Sequence, residues 1–273
     1  MGRGIAYLAA VAGYETVLHD ADAGALDAAR SSIESTLKKG VEKGRITESA
    51  AAEALKCIRT TPELEPAAHD ADLIIEAVPE DLDLKQDLFG QADLYCGEET
   101  IMASNTSSIS ISLLAGGVER RERFVGMHFF NPPHAMKLIE IVRGERTSDE
   151  TVSEVLAVAG KMGKTAIVVH DSPGFATSRL GVAIGLEAIR MLEEGVASAE
   201  DIDRAMELGY NHPMGPLRLT DLVGLDVRLG IADYLASTLG ARFEAPELLR
   251  TMVREGKLGK KTGQGFYAWD DQA

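Results

Sequence analysis

Residues 123–144 decide the fold class and the candidate chemistry of this 273-residue chain, and they read RFVGMHFFNPPHAMKLIEIVRG. The stretch contains two short apolar runs, residues 124–130 and 138–142, which are bounded by a Pro-Pro pair and a glycine. Apolar runs of this length with such boundaries favour buried strands over helices. We therefore predict two strands, each of which carries one ionisable side chain.

The two ionisable side chains are His128 and Glu140. A carboxylate in a buried strand is costly unless it has a partner, and a nearby imidazole is a suitable one. A carboxylate that fixes the tautomer of a histidine and supports its protonated form makes that histidine a general base. We predict that this pair is catalytic. The alternative is a satisfied core histidine and an edge-strand glutamate on a solvated face.

Composition and charge argue against binding to nucleic acid, anionic membranes or metal ions, and against a disulfide framework. Hydrophobic residues at 45% and charged residues at 26% are ordinary globular values. Twenty-eight basic against 43 acidic residues give a formal charge of −15, which disfavours nucleic acid and anionic membranes. Two cysteines and six scattered histidines predict neither a disulfide framework nor a metal site.

The beginning of the chain has two interpretations. Residues 3–12 resemble a weak signal peptide, or they form a buried helix flanked by glycines. We favour the helix, because strand-like residues 16–19 follow without a convincing cleavage site. No apolar stretch approaches the roughly 20 residues needed to span a bilayer. We expect a cytoplasmic protein.

Up to about residue 170, short apolar runs alternate with helical patterns. This alternation is typical of a mostly parallel α/β sheet with buried faces. The predicted strands are residues 16–19, 73–78, 100–104 and 166–169, and the predicted helices are residues 21–43, 84–94 and 150–162.

Beyond the sequence Asp-Ser-Pro-Gly at 171–174 the periodicity becomes helical. We predict helices over residues 176–194 and 220–239, and a third that begins at Ala199 with Ser198 and Asp201 as a capping box. The sequence thus predicts two domains, residues 1–170 and residues 171–273.

Asp20 and Gly2 indicate a dinucleotide site. An acidic residue at the end of a strand accepts hydrogen bonds from the ribose hydroxyls of NAD and repels the 2′-phosphate of NADP. Gly2 precedes Asp20 by 18 positions, which suits the last glycine of a G-x-G-x-x-G turn. An ordinary surface aspartate is the alternative.

Seven stretches, in order along the chain, resemble the L-3-hydroxyacyl-CoA dehydrogenase family, which includes bacterial 3-hydroxybutyryl-CoA dehydrogenases. The resemblance extends from Met1 to about Tyr267. The stretches are IEAVPE (75–80), SNTSS (104–108), HFFNP (128–132), MKLIE (136–140), DSPGF (171–175), HPMGP (212–216) and GKKTGQGF (259–266).

The resemblance implies a Rossmann-type NAD-binding domain followed by an all-helical domain for substrate binding and dimerisation. The implied reaction is the reversible, NAD-dependent oxidation of a short-chain L-3-hydroxyacyl-CoA, such as 3-hydroxybutyryl-CoA, to the 3-oxoacyl-CoA. The acyl-CoA is expected in the cleft between the domains of a homodimer. Asp20 makes NADP the less favoured cofactor.

The resemblance also implies roles for individual residues. His128 matches the general base, Glu140 its supporting carboxylate, and Ser107 and Asn131 match polar groups that contact substrate and cofactor. In isolation, Ser107 is equally explained as a helix N-cap and Asn131 as the start of the Pro-Pro turn. The remaining matches are Glu80, Lys85 and Lys261 for the cofactor, Thr36 and Lys43 for coenzyme A, and Ser178 for the substrate; solvated surface charges are the alternative for Glu80 and the lysines.

Two departures from the family pattern are visible. The family carries a strand and two further glycines before the position of Met1, so we expect an incomplete N-terminus. Without that strand a central ladder partner and part of the pyrophosphate cradle are missing. Ser178 replaces the usual asparagine and is shorter, although it keeps a donor and an acceptor.

Two other functions remain open at this point. One is a non-catalytic dimeric relative that cannot hold the dinucleotide, because its glycine turn is incomplete. The other is a dehydrogenase of the same fold that acts on a sugar acid without coenzyme A.

Overall fold

The structure is a computed structural model that describes residues 1–269. The chain forms two compact units, which divide between Asp171 and Ser172.

The first unit alternates helices and strands, as the sequence predicts. Three helices, α3, α4 and α6, and the short, largely exposed strand β2 have no counterpart among the predicted elements. The elements are α1 (Gly2–Val11), β1 (Thr16–His19), α2 (Ala23–Glu42), α3 (Glu48–Lys56), β2 (Ile58–Thr61), α4 (Leu64–Ala68), β3 (Leu73–Glu76), α5 (Leu82–Asp93), β4 (Ile101–Ser104), α6 (Ile111–Leu114), β5 (Phe124–Phe129), β6 (Leu138–Arg143), α7 (Asp149–Lys161) and β7 (Thr165–His170).

The strands form two sheets. β1 pairs with β2 in parallel, and the other five strands lie in the order β3-β4-β5-β6-β7. Every neighbouring pair in the larger sheet is parallel except β5 and β6, which are antiparallel. The prediction of a mostly parallel sheet is confirmed. All residues of β4 and β5 are buried, as expected when a sheet is covered on both faces.

Helix α1 confirms the preferred interpretation of the first residues. It buries Ile5 and Leu8 against the sheet. A Cβ added at Gly4 would lie 2.9 Å from Cγ of Pro133. The close approach of the loop that contains Pro133 to helix α1 therefore requires a glycine at position 4. A Cβ at Gly2 would contact Leu18 in β1 and Ala77 just after β3. The first turn of α1 therefore lies beside the carboxyl-terminal parts of β1 and β3.

The second unit is helical. Its core consists of buried aliphatic residues such as Leu186, Leu217 and Leu235. Its helices are α8 (Thr177–Glu193), α9 (Ala199–Tyr210), α10 (Pro216–Val223), α11 (Leu225–Leu239) and α12 (Glu247–Arg254), with 3-10 turns at Ala241–Phe243 and Lys260–Thr262.

Two helix predictions in this unit have different outcomes. The N-cap at Ser198 is confirmed, because its Oγ accepts a hydrogen bond from the backbone N–H of Asp201 at 3.1 Å. The single helix over residues 220–239 is wrong. Gly224 has φ 103°, a conformation that ends one helix and begins another, and glycine adopts it without steric cost.

Residues 1–269 contain neither a candidate membrane span nor a candidate metal site. No helix there has the length and apolar character needed to cross a membrane. That range contains no group of three side chains suited to holding a metal ion. Cys57 and Cys96 are both free thiols.

Candidate active site

The imidazole of His128 and the carboxylate of Glu140 meet, as the sequence predicts. Antiparallel pairing of β5 with β6 places the two residues directly opposite each other, so that their side chains share one face of the sheet. The Nδ1 atom of His128 lies 2.7 Å from Oε2 of Glu140, and the side chains are 6% and 0% exposed. A carboxylate at Nδ1 holds the proton there, so the neutral ring presents the lone pair of Nε2 as a base.

The loop that contains Ser107 follows β4 and is fixed by Glu80. The Oε1 atom of Glu80 accepts hydrogen bonds from the hydroxyl of Thr106, from the backbone N–H of Ser107 at 3.1 Å and from the hydroxyl of Ser108 at 3.2 Å. The N-cap alternative for Ser107 is wrong, because Ser110 caps the following helix, α6. The hydroxyl of Ser107 is therefore not used as a cap.

Asn105 joins this loop to the strand that carries His128. Its side chain is buried, and its Oδ1 accepts a hydrogen bond at 2.9 Å from the backbone N–H of Phe129. Asn105 was not among the predicted site residues, although it lies within the SNTSS stretch. The contact fixes the end of β4 relative to the residue after His128.

Lys85 is not a solvated charge at a helix start. Its side chain is 1% exposed, and Nζ lies 2.7 Å from Oε1 of Glu76 and 3.2 Å from Oε2 of Glu80. Burial raises the pKa of Glu80, but the hydrogen bond from Thr106 and the charge of Lys85 outweigh it, so the pKa lies below its ordinary value. Glu80 is therefore a carboxylate at neutral pH.

Asp20 and Gly2 lie where a dinucleotide would be expected. Asp20 immediately follows β1, and its carboxylate is exposed and accepts a hydrogen bond from the N–H of Asp22 at 3.0 Å. Gly2 is the first residue of α1, whose N-terminus favours anions. Ligands of open parallel sheets bind at the carboxyl ends of strands. With the carboxylate of Glu80, which is 41% exposed, these groups fit NAD.

Two of the predicted residues, Thr36 and Asn131, line a cavity of about 300 Å³ in the first unit. Arg3, Tyr7 and His134 also line it, and none of these three was singled out as a site residue. The sequence features of these residues indicate a site only weakly, because a basic residue at a helix start and a histidine after two prolines are common on protein surfaces. Lys43, exposed at the end of α2, is not among the residues that line this cavity.

The remaining predicted residues belong to the second unit. Ser178 is the second residue of α8 and is half-buried. Lys261 lies in a 3-10 turn, with Nζ 2.6 Å from both carboxylate oxygens of Asp226. Burial raises the pKa of Asp226, but the hydrogen bonds from Lys261 and from the backbone N–H of Val227, together with the charge of Lys261, lower the pKa below its usual value. The lysine is thus held in place by a carboxylate of its own unit.

The first unit combines parallel strands, a helix N-terminus, the carboxylates of Asp20 and Glu80 after strand ends, and a buried histidine–glutamate pair. This combination is typical of the class of nicotinamide-dependent dehydrogenases. Comparison with known families is more specific. Residues 1–172 match the NAD-binding domain of 3-hydroxyacyl-CoA dehydrogenase, and residues 174–269 match its C-terminal domain. The chain belongs to the 3-hydroxyacyl-CoA dehydrogenase family.

Individual relatives agree with this assignment. The chain is 44% identical over 273 residues to a probable 3-hydroxybutyryl-CoA dehydrogenase of Bacillus subtilis, covering 100% of this chain and 95% of that protein. It is 42% identical to the 3-hydroxybutyryl-CoA dehydrogenase of Clostridioides difficile, covering 99% and 96%. The crystal structure of the (S)-3-hydroxybutyryl-CoA dehydrogenase of Ralstonia eutropha superposes with a TM-score of 0.95 at 41% identity, covering 99% and 96%.

These findings bear on the alternative functions. Relatives that match over nearly their whole length carry the names of dehydrogenases acting on hydroxyacyl-CoA. A non-catalytic relative and a sugar-acid dehydrogenase are therefore not favoured.

Proposed function

We propose that this protein catalyses the reversible, NAD-dependent oxidation of a short-chain L-3-hydroxyacyl-CoA, such as 3-hydroxybutyryl-CoA, to the corresponding 3-oxoacyl-CoA. The observation that carries the proposal is the buried contact of 2.7 Å between His128 Nδ1 and Glu140 Oε2. This contact lies in a chain of the 3-hydroxyacyl-CoA dehydrogenase family, whose reaction requires a base for a hydroxyl proton.

His128 acts as the general base in this mechanism. Its Nε2 removes the proton of the 3-hydroxyl group, and Glu140 stabilises the imidazolium that forms. NAD, held by Gly2, Asp20 and Glu80, would supply the acceptor for the hydride that leaves carbon 3. In the reductive direction the imidazolium of His128 returns its proton to the oxygen of the 3-oxo group.

Other side chains would orient the two ligands. Ser107 and Asn131 contact the substrate oxygen and the nicotinamide end of the cofactor. Gly2, Asp20 and Glu80 hold the cofactor, and the charge of Asp20 favours NAD over NADP. Lys85 and Lys261 are assigned to the cofactor, and Thr36, Lys43 and Ser178 to the acyl-CoA.

We further propose that residues 1–170 bind the cofactor and that residues 171–273 bind substrate and form a homodimer. Large apolar side chains are exposed on three helices of the second unit, including Leu180 on α8, Val223 on α10 and Val227 on α11. Clusters of exposed apolar groups are typical of protein interfaces. Light scattering should give twice the chain mass of 29.2 kDa; the monomer mass would contradict the dimer.

The compartment is part of the same proposal. We place the enzyme in the cytoplasm, which is consistent with two free thiols and with its net negative charge. Fractionation of the native host, with a periplasmic marker as a control, would test the location.

The activity is tested by mixing the protein with acetoacetyl-CoA and NADH and following the loss of NADH absorbance. We expect turnover with NADH and much slower turnover with NADPH. Absence of NADH oxidation would contradict the proposal.

A substrate control separates coenzyme A esters from free acids. We expect oxidation of 3-hydroxybutyryl-CoA with NAD and none of free 3-hydroxybutyrate or of sugar acids. Activity on the free acids alone would support the sugar-acid alternative instead.

A further inference from the structure

Arg228 is a buried cation of the second unit for which residues 1–269 supply no anion. It lies in α11 and is 5% exposed. Its Nε is buried and has no hydrogen-bond partner in that range. Burial, which no neighbouring carboxylate opposes, lowers the pKa of Arg228 to about 10. The guanidinium is therefore charged at neutral pH and lacks a counter-charge.

Other arginines of the second unit differ from Arg228 in this respect. Four of them pair with carboxylates at 2.6–3.3 Å, although their side chains are at least 30% exposed: Arg190, Arg204, Arg250 and Arg254. Water solvates exposed cations, so such pairs add little stability, whereas a buried cation without a partner is destabilising. A desolvated, unpaired cation of this kind indicates a site for an anionic ligand.

The guanidinium of Arg228 lies against two glycines of helix α8. A Cβ added at Gly181 would lie 3.2 Å from Nη1 of Arg228, and one added at Gly185 would lie 3.7 Å from Nε. Gly181 is half-buried, whereas Gly185 is buried. The Nη1 end of the guanidinium is thus at the more accessible of the two glycines.

Ser178 lies on the same face of α8 as these glycines. Residues 178, 181 and 185 have the spacing i, i+3 and i+7, which places them on one side of a helix. Three residues span about 4.5 Å of helix, and Ser178 is the residue of α8 that the family resemblance assigns to the substrate. A ligand that contacts Ser178 and continues along this face toward Gly181 reaches Nη1 of Arg228.

We propose that Arg228 is a specificity-determining residue that binds a carboxylate at the far end of the acyl chain. The preferred substrate is then the coenzyme A monothioester of a 3-hydroxydicarboxylic acid. A guanidinium binds a carboxylate through two parallel hydrogen bonds, whereas an alkyl end would leave the buried cation unpaired. The inference rests on the proposed function for the thioester and for the reaction at carbon 3, and it adds the chemistry of the opposite end of the substrate.

Binding of two unreactive thioesters provides the first test. Adipyl-CoA and hexanoyl-CoA both have a six-carbon acyl chain and no 3-hydroxyl, and they differ in a terminal carboxylate against a methyl group. We expect wild-type protein to bind adipyl-CoA at least about tenfold more tightly in calorimetry, the size of a hydrogen bond to a charged group. The ratio of kcat/KM for 3-hydroxyadipyl-CoA and 3-hydroxyhexanoyl-CoA should favour the former to a similar extent.

Arg228→Met removes the cation and keeps an unbranched side chain. We expect it to abolish the preference, because adipyl-CoA then loses its partner while hexanoyl-CoA binds as well as before or better. Arg228→Lys should keep part of the preference, since it retains the charge but not the planar pair of donors.

Two further variants separate a carboxylate site from a general change in the unit. Gly181→Ala leaves the cation in place but adds a Cβ against Nη1, so we expect it to weaken adipyl-CoA more than hexanoyl-CoA. Alanine favours a helix over glycine, so this variant decides if Arg228→Met fails to fold. Arg250→Met is the matched control: it removes an arginine paired with Asp233 on the same helix, α11, and should leave the ratio of the two affinities unchanged.

Equal affinity of the wild type for the two thioesters, or an unchanged ratio in Arg228→Met, would overturn the inference. Equal weakening of both ligands in that variant would assign Arg228 to the phosphates of coenzyme A. An unchanged ratio with a less stable dimer would assign it to a carboxylate of a second copy of the chain. A binding preference without turnover of either 3-hydroxy thioester would support the inference and oppose the proposed reaction.

Discussion

The two units both bury acidic side chains, but they use them differently. In the second unit, Asp221 accepts hydrogen bonds from the backbone N–H groups of Phe266 and Tyr267 and from the indole of Trp269, at 2.8–2.9 Å. In the first unit, Glu140 pairs with the titratable ring of His128. A carboxylate that binds fixed N–H donors stabilises a structure, whereas one that supports a titratable base serves a reaction.

Two glycines lie against buried aspartates of the second unit, Asp221 and Asp203, and indicate that these aspartates have a structural role. A Cβ added at Gly265 would lie 2.1 Å from Oδ1 of Asp221, and one at Gly215 would lie 2.2 Å from the side chain of Asp203. These glycines belong to the stretches GKKTGQGF and HPMGP, which contributed to the family resemblance. Within both stretches, these glycines are required for the close approach of the chain to a buried aspartate.

The largest expected effect is that of His128→Gln. We expect kcat to fall by roughly 10²–10⁴, the usual contribution of a general base, while the melting temperature changes little. Steady-state NADH oxidation and thermal unfolding measure the two quantities. An unchanged kcat would exclude His128 from the mechanism. The buried acids of the two units would then not differ in the way described above.

Glu140→Gln is expected to lower kcat by no more than His128→Gln does, because the base remains but its imidazolium loses the charged partner. The double variant with His128→Gln should be no slower than His128→Gln alone, since residues that act as a unit are not additive. Multiplicative losses in the double variant would indicate two independent roles.

Asp221→Ala should show the opposite pattern from His128→Gln. Three N–H donors would lose their acceptor, at about 1–3 kcal/mol for each donor left buried and unsatisfied, so we expect a large drop in unfolding free energy in urea. The kcat of the protein that remains folded should be close to wild type. A selective loss of kcat without a loss of stability would show that Asp221 takes part in the reaction.

Arg228 in α11 is also a buried charged residue, but it is a cation, unlike Asp221 and Glu140. Its side chain is 5% exposed, its Nε has no hydrogen-bond partner within the described part of the chain, and burial lowers its pKa to about 10. Arg228→Met should raise the unfolding free energy by about 1 kcal/mol or more, because an apolar side chain replaces a desolvated cation. A decrease would indicate that the guanidinium has an anionic partner in the assembled protein.

Tyr267→Phe tests the smallest effect. Burial and the hydrogen bond to Asp203, 2.8 Å away, raise the pKa of the Tyr267 hydroxyl. The unfolded chain therefore loses this proton first, and stability falls as the pH rises above about 10. We expect alkaline unfolding curves of Tyr267→Phe to be less steep there; identical curves would contradict the role of this hydroxyl.

Local patterns were sufficient to predict much of the fold. The apolar runs gave β1 with its correct limits and β5 and β6 to within one residue, since burial on both faces leaves a continuous apolar run. The break at Gly224 was missed, because a glycine inside a helical period does not reveal whether its φ is positive.

The candidate site was only partly predictable. His128 and Glu140 were paired correctly, because two ionisable groups in buried strands have few other ways to be satisfied. The alternative of a solvated charge was wrong for Lys85, because its side chain is 1% exposed and pairs with Glu76. Neither pattern nor resemblance shows that Glu76, nine positions earlier, turns back to bind it.

The sequence by itself determined which segments are strands and helices, which family the chain resembles and which side chains are chemically competent. The tertiary structure decided the partners: which carboxylate binds a base, which binds backbone N–H groups and which shares a lysine. The physical reason is that hydrophobic periodicity is a local property of the chain. Hydrogen bonds between distant side chains depend on strand register and on loop geometry, which are established only when the core packs.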